Sequence, residues 1–323
     1  MRTGAIVPVH GWAPLLAETL DGILGQDPPL DVVVVVDDGS PQSLALNPDH
    51  AGQCVLVRHP MPLGPATARA TGLAQLDTEL VALCDDDDAW QPGKHAAQLA
   101  ALAAHRDAAV CVGHAEIIGL DGRPTGERWD ELAGGYHAAQ DLLPLLFERD
   151  PLCFSSVLMR RDTLLAAGGL DYPRAHAEDW DLWLRLLAAG NAFVMEPQAV
   201  VRYRRKPGSL SGDIAAMASA QLHLHECHAA LVSETVRRRT EAADRVARSR
   251  GLVRERAFGQ ARRELRRAAA LRAPPPRDRI LDAVLAVPGL RMALGRRDPY
   301  VQRSSMPARA WRRWYCRQVG RVG

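Results

Sequence analysis

The chain has 323 residues, 47% of them hydrophobic and 24% charged, with a formal net charge of +2. That is globular material, enough for one large domain or two smaller ones. No run reaches the ~18 apolar residues of a membrane span, and the start, MRTGAIVPVHGW, lacks the apolar stretch of a secretory signal. Six scattered cysteines, Cys54, Cys84, Cys111, Cys153, Cys227 and Cys316, form no Cys-x-x-Cys pair. They favour buried free thiols in a reducing compartment over a disulfide framework, so the expected location is the cytoplasm.

In chain order, GAIVPV (4–9) reads as a short buried strand. PLLAETLDGILGQ follows with Leu16, Leu20, Ile23 and Leu24 at helical spacing. LDVVVVVDDGS is a β-branched strand ended by Asp-Asp-Gly-Ser, and CVLVRH (54–59) is a third strand. PATARATGLAQL (65–76) predicts a helix, ELVALC (79–84) a strand, and PGKHAAQLAALAAH (92–105) a helix with Pro92 near its first position. AAVCVGHAEII (108–118) returns to strand, with a turn at Asp121–Gly122. Apolar strands alternating with helices argue a mostly parallel sheet covered on both faces. In such sheets ligands sit beyond the carboxyl ends of the strands. His10, Asp37, Asp38 and Asp85 to Asp88 all fall at those ends and should converge.

From about 135 the texture changes. DLLPLLFERD looks helical, LCFSSVLMRRDTLLAAGGLD is a strand running into a helix, and EDWDLWLRLLAAG (178–190) is a helix striped by Trp180, Trp183, Leu184 and Leu187. Beyond 213 the pattern is helical and Arg-rich, broken at Pro274–Pro276. Three segments follow: 1–115, 116–213 and a helical extension, 214–323.

VALCDDDDAW (81–90) ends an apolar run in four aspartates, whose repulsion and desolvation call for a positive partner. Hard oxygen ligands on one short loop suit Mg²⁺ or Mn²⁺, held by one or two carboxylates together with substrate phosphates. The bland alternative is a solvated acidic loop with Asp88 capping the helix that begins near Pro92.

The ordered series IVPVHG, VVVDDGS, GPATARATGLAQ, LVALCDDDDAWQPGKHAAQ, SSVLMRRDTLLAAGGLD, AEDWDLWLRL and VVRYRRKPGSLS resembles glycosyltransferase family 2 over about residues 4–212. The resemblance implies a GT-A-like fold and inverting transfer from a nucleoside-diphosphate sugar, most often UDP-linked, to an acceptor hydroxyl. It places Pro8, Val9, His10, Asp38, Arg69, Asp85 and Asp86 at the nucleotide and Asp87 on Mg²⁺ or Mn²⁺. Glu178 and Asp179 become the catalytic pair, with Asp179 the general base. Two departures stand out. Ala70 replaces a usual Asn, and Lys206 stands where relatives carry a His that reaches the metal or diphosphate. A protonated lysine is no metal ligand, but its charge could sit on the diphosphate. Trp129, Ser155 and Ser156 are candidates for binding a saccharide, lipid-linked or small-molecule acceptor.

Rival readings are a nucleotidyltransferase, or other nucleotide-sugar enzyme, on a similar sheet, and a non-catalytic nucleotide-sugar-binding protein. HLHECH (223–228) has too few ligands for a zinc site. The Arg-rich tail contains no nucleic-acid module. ARAWRRWYCRQV (308–319) either packs on the catalytic domain or docks peripherally on an anionic membrane face.

Overall fold

Valines dominate the second strand, and β-branched runs of this kind pack best inside a sheet. The computed structural model describes residues 1–11, 13–170, 176–206 and 213–288. In it β1 (Thr3–Val9), α1 (Leu16–Leu24), β2 (Val32–Asp37), α2 (Pro48–Ala51), β3 (Val55–Arg58), α3 (Pro65–Ala74) and β4 (Leu80–Leu83) alternate. β1 pairs in parallel with β2 and β4, and β2 with β3. The side chains of β1, β2 and β4 are buried almost throughout, because helices cover both faces. Gly72 lets α3 lie close on β1: a Cβ there would stand 2.5 Å from Ile6 Cγ2.

A two-residue strand, β5 (Ala89–Trp90), follows the acidic loop, ahead of α4 (Lys94–Ala104). Pro92 does not open α4; Gly93, in the left-handed region at φ 81°, is its N-cap. Next come β6 (Ala108–Ile118), β7 (Pro124–Trp129), β8 (Gly135–His137), α5 (Ala139–Glu148), β9 (Leu158–Arg160), α6 (Arg161–Ala166), α7 (Glu178–Ala188) and β10 (Ala192–Arg204). The sheet order is β3-β2-β1-β4-β9-β6-β10-β5, with β7 on β6 and β8 on β10. β9 runs antiparallel between β4 and β6, so the sheet is mixed. α7 buries Trp180, Trp183, Leu184 and Leu187, the stripe its spacing predicts. Trp183 meets Phe154 and Phe193 edge-on.

Residues 1–205 form one compact unit, so the segments read as 1–115 and 116–213 share a single sheet. The second unit begins at Lys206, ahead of the extension expected from 214. Its described helices are α8 (Ile214–Cys227), α9 (Glu234–Arg254), α10 (Phe258–Leu271) and α11 (Pro276–Ala286). Leu252, Ala261, Leu265 and Leu285 form its core, and Asp213 and Ser233 cap α8 and α9 through the N–H groups of Ala216 and Val236. Many arginines here are paired within the unit: Arg245 with Glu241 and Glu264, Arg250 with Asp278. His225, instead of contributing to a metal site, is buried against Asp244 at 2.6 Å. No helix among the described residues is long and apolar enough to cross a membrane. The tail segment 308–319 lies outside the described residues.

Candidate active site

At the carboxyl end of β2, neighbouring aspartates have different environments. The Asp37 carboxylate accepts the N–H groups of Ser40 (2.9 Å) and Leu44 (3.1 Å) and pairs with Arg58. Burial acts to raise its pKa, but these hydrogen bonds and the Arg58 charge outweigh it and hold the carboxyl below its ordinary range. Asp38 Oδ1 accepts the Leu63 N–H and His59 Nδ1, and Oδ2 accepts the Gly64 N–H, all at 2.8 Å. A carboxylate has about four lone-pair sites, so Oδ2 retains one for a ligand. His59 Nδ1 donates to Asp38, and its Nε2 lies 2.9 Å from the Thr71 hydroxyl. Gly39, at φ 63°, is required for this turn, because a Cβ would fall 2.2 Å from the Met61 carbonyl carbon.

At the end of β1, Val9 is in the core and pairs in register with Asp37, so it can offer a ligand only its backbone. Pro8 is half-buried and His10 exposed. His10 Nδ1 donates to the Asp38 carbonyl at 2.8 Å.

The four aspartates after β4 separate into two kinds. Asp85, Asp86 and Asp87 are half-buried, whereas Asp88 is buried at 1% exposure. Asp88 caps no helix. Its Oδ1 accepts the Arg204 N–H at 2.8 Å and its Oδ2 the Ser155 hydroxyl at 2.5 Å. Burial, then the charges of Asp85 and Asp87, push its pKa well up.

The positive partner that the loop calls for is Arg69. From α3 its Nη2 donates to Asp85 Oδ1 at 2.6 Å and its Nη1 to Glu178 Oε1 at 3.1 Å. The guanidinium lies 4.5 Å from the centroid of the Phe154 ring. Glu178 and Asp179 open α7, two positions beyond His176, which is held in the left-handed region at φ 79°. Asp179 Oδ1 accepts the Trp180 N–H at 2.8 Å. Burial and then the neighbouring Glu178 charge raise Asp179 to about 7, against the pull of that N–H and of Arg69. Its position at the start of a helix, which favours the ionised form, is therefore outweighed.

Ser155 and Ser156 do not line an acceptor surface. They are 2% and 0% exposed and bonded to Asp88 and to the Cys153 carbonyl. Trp129 is half-buried, edge-on to Tyr203 at 5.2 Å. Lys206 is exposed at the start of the second unit, next to residues outside the described set.

Among the described residues no three His, Cys, Asp or Glu side chains stand together to hold a metal unaided. Asp85 and Asp87 offer hard oxygens on one half-buried loop. That donor set fits a Mg²⁺ or Mn²⁺ ion whose remaining ligands are diphosphate and water.

Sequence reasoning missed Arg204 and Phe154. Arg204 lies within the quoted VVRYRRKPGSLS, but its partners are remote in sequence.

Residues 5–162 match the family model described as Glycosyl transferase family 2. A pre-mycofactocin glycosyltransferase of Mycobacterium tuberculosis is 31% identical over 204 residues, 61% of this chain and 42% of that protein. The amylovoran biosynthesis glycosyltransferase AmsE of Erwinia amylovora is 25% identical over 193 residues, 58% and 70% of the two chains. The chain thus spans less than half the length of the mycobacterial relative. Among solved structures, Staphylococcus aureus TarS 1-349 in complex with UDP-GlcNAc superposes with a TM-score of 0.63 at 17% identity, covering 91% of this chain and 88% of that one. The mannosyltransferase PcManGT of Pyrobaculum calidifontis, in complex with GDP-Man and Mn²⁺, gives a TM-score of 0.55 at 20% identity over 98% and 85%. These superpositions show a GT-A-like fold.

Proposed function

Residues 5–162 are a glycosyl transferase family 2 domain, and from that we propose that the chain moves a sugar from a nucleoside-diphosphate donor to an acceptor hydroxyl with inversion. The observation that carries the reading is the Arg69 fork. One guanidinium holds Asp85, on the loop suited to a diphosphate, and Glu178, next to the base candidate Asp179.

The chain's own groups divide the work. The β1 end with His10, and the remaining lone pair of Asp38, receive the nucleotide base and ribose. Asp87 would hold Mg²⁺ or Mn²⁺, which when bound supplies Lewis-acid stabilisation of the departing diphosphate, while Asp85, tied to Arg69, faces the nucleotide. Asp179 in its ionised form takes the proton of the acceptor hydroxyl. The acceptor oxygen bonds to the anomeric carbon as the bond from that carbon to the diphosphate breaks on the opposite side. Attack from that side inverts the centre, and a well-placed base contributes roughly 10²–10⁴-fold. Glu178 is tied to Arg69 and shapes the field around Asp179. Lys206 adding its charge to the diphosphate, and Trp129 bordering the acceptor, belong to the same reading.

The test is incubation with UDP-, dTDP- and GDP-sugars, Mn²⁺ and an acceptor panel, with nucleotide products resolved. Nucleoside diphosphate released together with a glycosylated acceptor supports transfer. Release of monophosphate and pyrophosphate supports nucleotidyl chemistry, and binding without turnover supports a non-catalytic role.

A further inference from the structure

The acidic loop is held from behind by a residue that family resemblance gives no role. Arg204, the last residue of β10, is 3% exposed. Its Nε donates to the Asp87 carbonyl at 2.9 Å, and its backbone N–H to Asp88 Oδ1 at 2.8 Å. Its Nη1 donates to the carbonyls of Gly119 (3.2 Å) and Leu120 (3.1 Å) in the β6–β7 turn, and its Nη2 to Glu18 Oε2 on α1 at 2.5 Å. Asp88 passes the constraint forward: its Oδ2 takes the Ser155 hydroxyl, and Ser155 Oγ takes the Asp85 N–H at 3.0 Å. Asp85 and Asp87, the two exposed-side oxygen donors, are thus pinned at their backbones through one buried hub.

We propose that Arg204 is a positioning residue for the donor site, which fixes the Asp85–Asp87 loop against α1 and the β6–β7 turn through Asp88 and Ser155. The guanidinium is suited to this because its fork presents five N–H donors in fixed directions, and four protein acceptors are spread around it. A lysine ammonium keeps the charge but has one nitrogen, which cannot reach acceptors on three separate segments. Loss of the fork removes the common donor to the Asp87, Gly119 and Leu120 carbonyls and lets the loop spread before a metal–nucleotide arrives. The proposal rests on the donor-site reading for its consequence in binding, but the loop geometry stands apart from it.

The test compares the full-length wild type with Arg204→Lys, Ser155→Ala and Arg160→Lys. Arg160 is the control, because its guanidinium also donates to two backbone carbonyls, those of Ala108 and Leu102, away from the loop. Two readouts are taken on folded protein: the Mn²⁺ concentration that half-saturates UDP or GDP binding, by calorimetry, and hydrogen exchange of the peptide spanning 84–89. Arg204→Lys and Ser155→Ala should raise the Mn²⁺ requirement roughly 10–100-fold, the usual cost of removing an outer-shell partner. They should also speed exchange at 84–89 selectively, while Arg160→Lys lowers the melting temperature and changes neither. If Arg204→Lys does not fold, Ser155→Ala alone decides. Wild-type Mn²⁺ dependence and unchanged exchange in the folded variants would overturn the proposal. A wild type that binds neither nucleotide defeats the donor-site reading, and the exchange result then decides the clamp.

Discussion

Arg69 and Glu178 stand 109 positions apart in the chain and meet at 3.1 Å, with the other arm of the same guanidinium on Asp85. This ion pair joins the acidic loop after β4 to the start of α7. Because Arg69 is buried and stacked on Phe154, its charge is screened little by solvent.

Arg69→Lys should therefore be far from conservative. A point charge cannot serve Asp85 and Glu178 at once with the same geometry. The expected outcome is a ~10-fold or larger loss in kcat/KM, ~1.4 kcal/mol, with donor affinity and turnover both reduced. Steady-state kinetics against donor at saturating acceptor check it; unchanged constants would show that the fork is dispensable.

Asp179→Asn should retain nucleotide binding and lose roughly 10²-fold or more in turnover. In the wild type, the acceptor kcat/KM should rise with pH along a limb centred near the raised value of about 7, and the variant should lack that limb. The stability effect has a definite sign. A carboxyl whose folded pKa lies above its unfolded value binds its proton more tightly when folded. Its stabilising contribution is complete below the ordinary value of 3.8 and is lost as pH rises through about 7. Asp179→Asn should accordingly raise the melting temperature more at pH 8 than at pH 4, measured by scanning calorimetry.

Asp87→Ala should abolish Mn²⁺-dependent binding of UDP or GDP while leaving the circular dichroism spectrum unchanged. Its side chain is half-buried at the loop surface, and the bond from Arg204 Nε to its carbonyl survives the substitution. Isothermal titration with and without Mn²⁺ reads the result, and wild-type binding would remove Asp87 from the metal site.

Asp244→Ala should destabilise the helical unit by ~1–3 kcal/mol, because it removes the hydrogen-bond partner of a buried imidazole nitrogen. His225 and Asp244 are 3% and 0% exposed in their side chains. The residues proposed to meet the nucleotide, Pro8 to Asp87, belong to the first unit, so nucleotide binding below the melting transition should persist. Calorimetry with and without nucleotide separates the two effects.

The acidic loop was legible in the sequence because it violates a local rule: carboxylates close an apolar run where burial would be costly; the Glu-Asp pair, which opens a helix, was marked only by the family resemblance. Alternation of strands and helices likewise announced the sheet, since a parallel strand needs a crossover. Other features had no local mark. Ser155 and Ser156 follow Phe154 in a short 3-10 turn, and nothing in FSS says which way a hydroxyl faces; both point inward. β5 has only two residues, too few for a periodicity, and exists because Val201 and Arg202 pair with it. Pro92 suggested a helix start by composition, but the left-handed Gly93 moved the cap one position on. Asp88 looked like a helix cap because its acceptors were visible and its true donor, 116 residues away, was not.

That separation has a consequence for synthesis. Asp88 leaves the ribosome 116 residues before Arg204, the residue whose N–H donates to its buried carboxyl. At about 5–20 residues per second, the nascent chain carries four consecutive aspartates for roughly 6–23 s without the strand that anchors them. β1 to β4 can pair early, since all are encoded before residue 84, but the loop at their edge cannot take its final form until β10 is made. A nascent chain stopped before β10 would thus display the paired strands with the acidic loop unset. Under the proposed function, competence for chemistry is then a late event of translation that waits for β10.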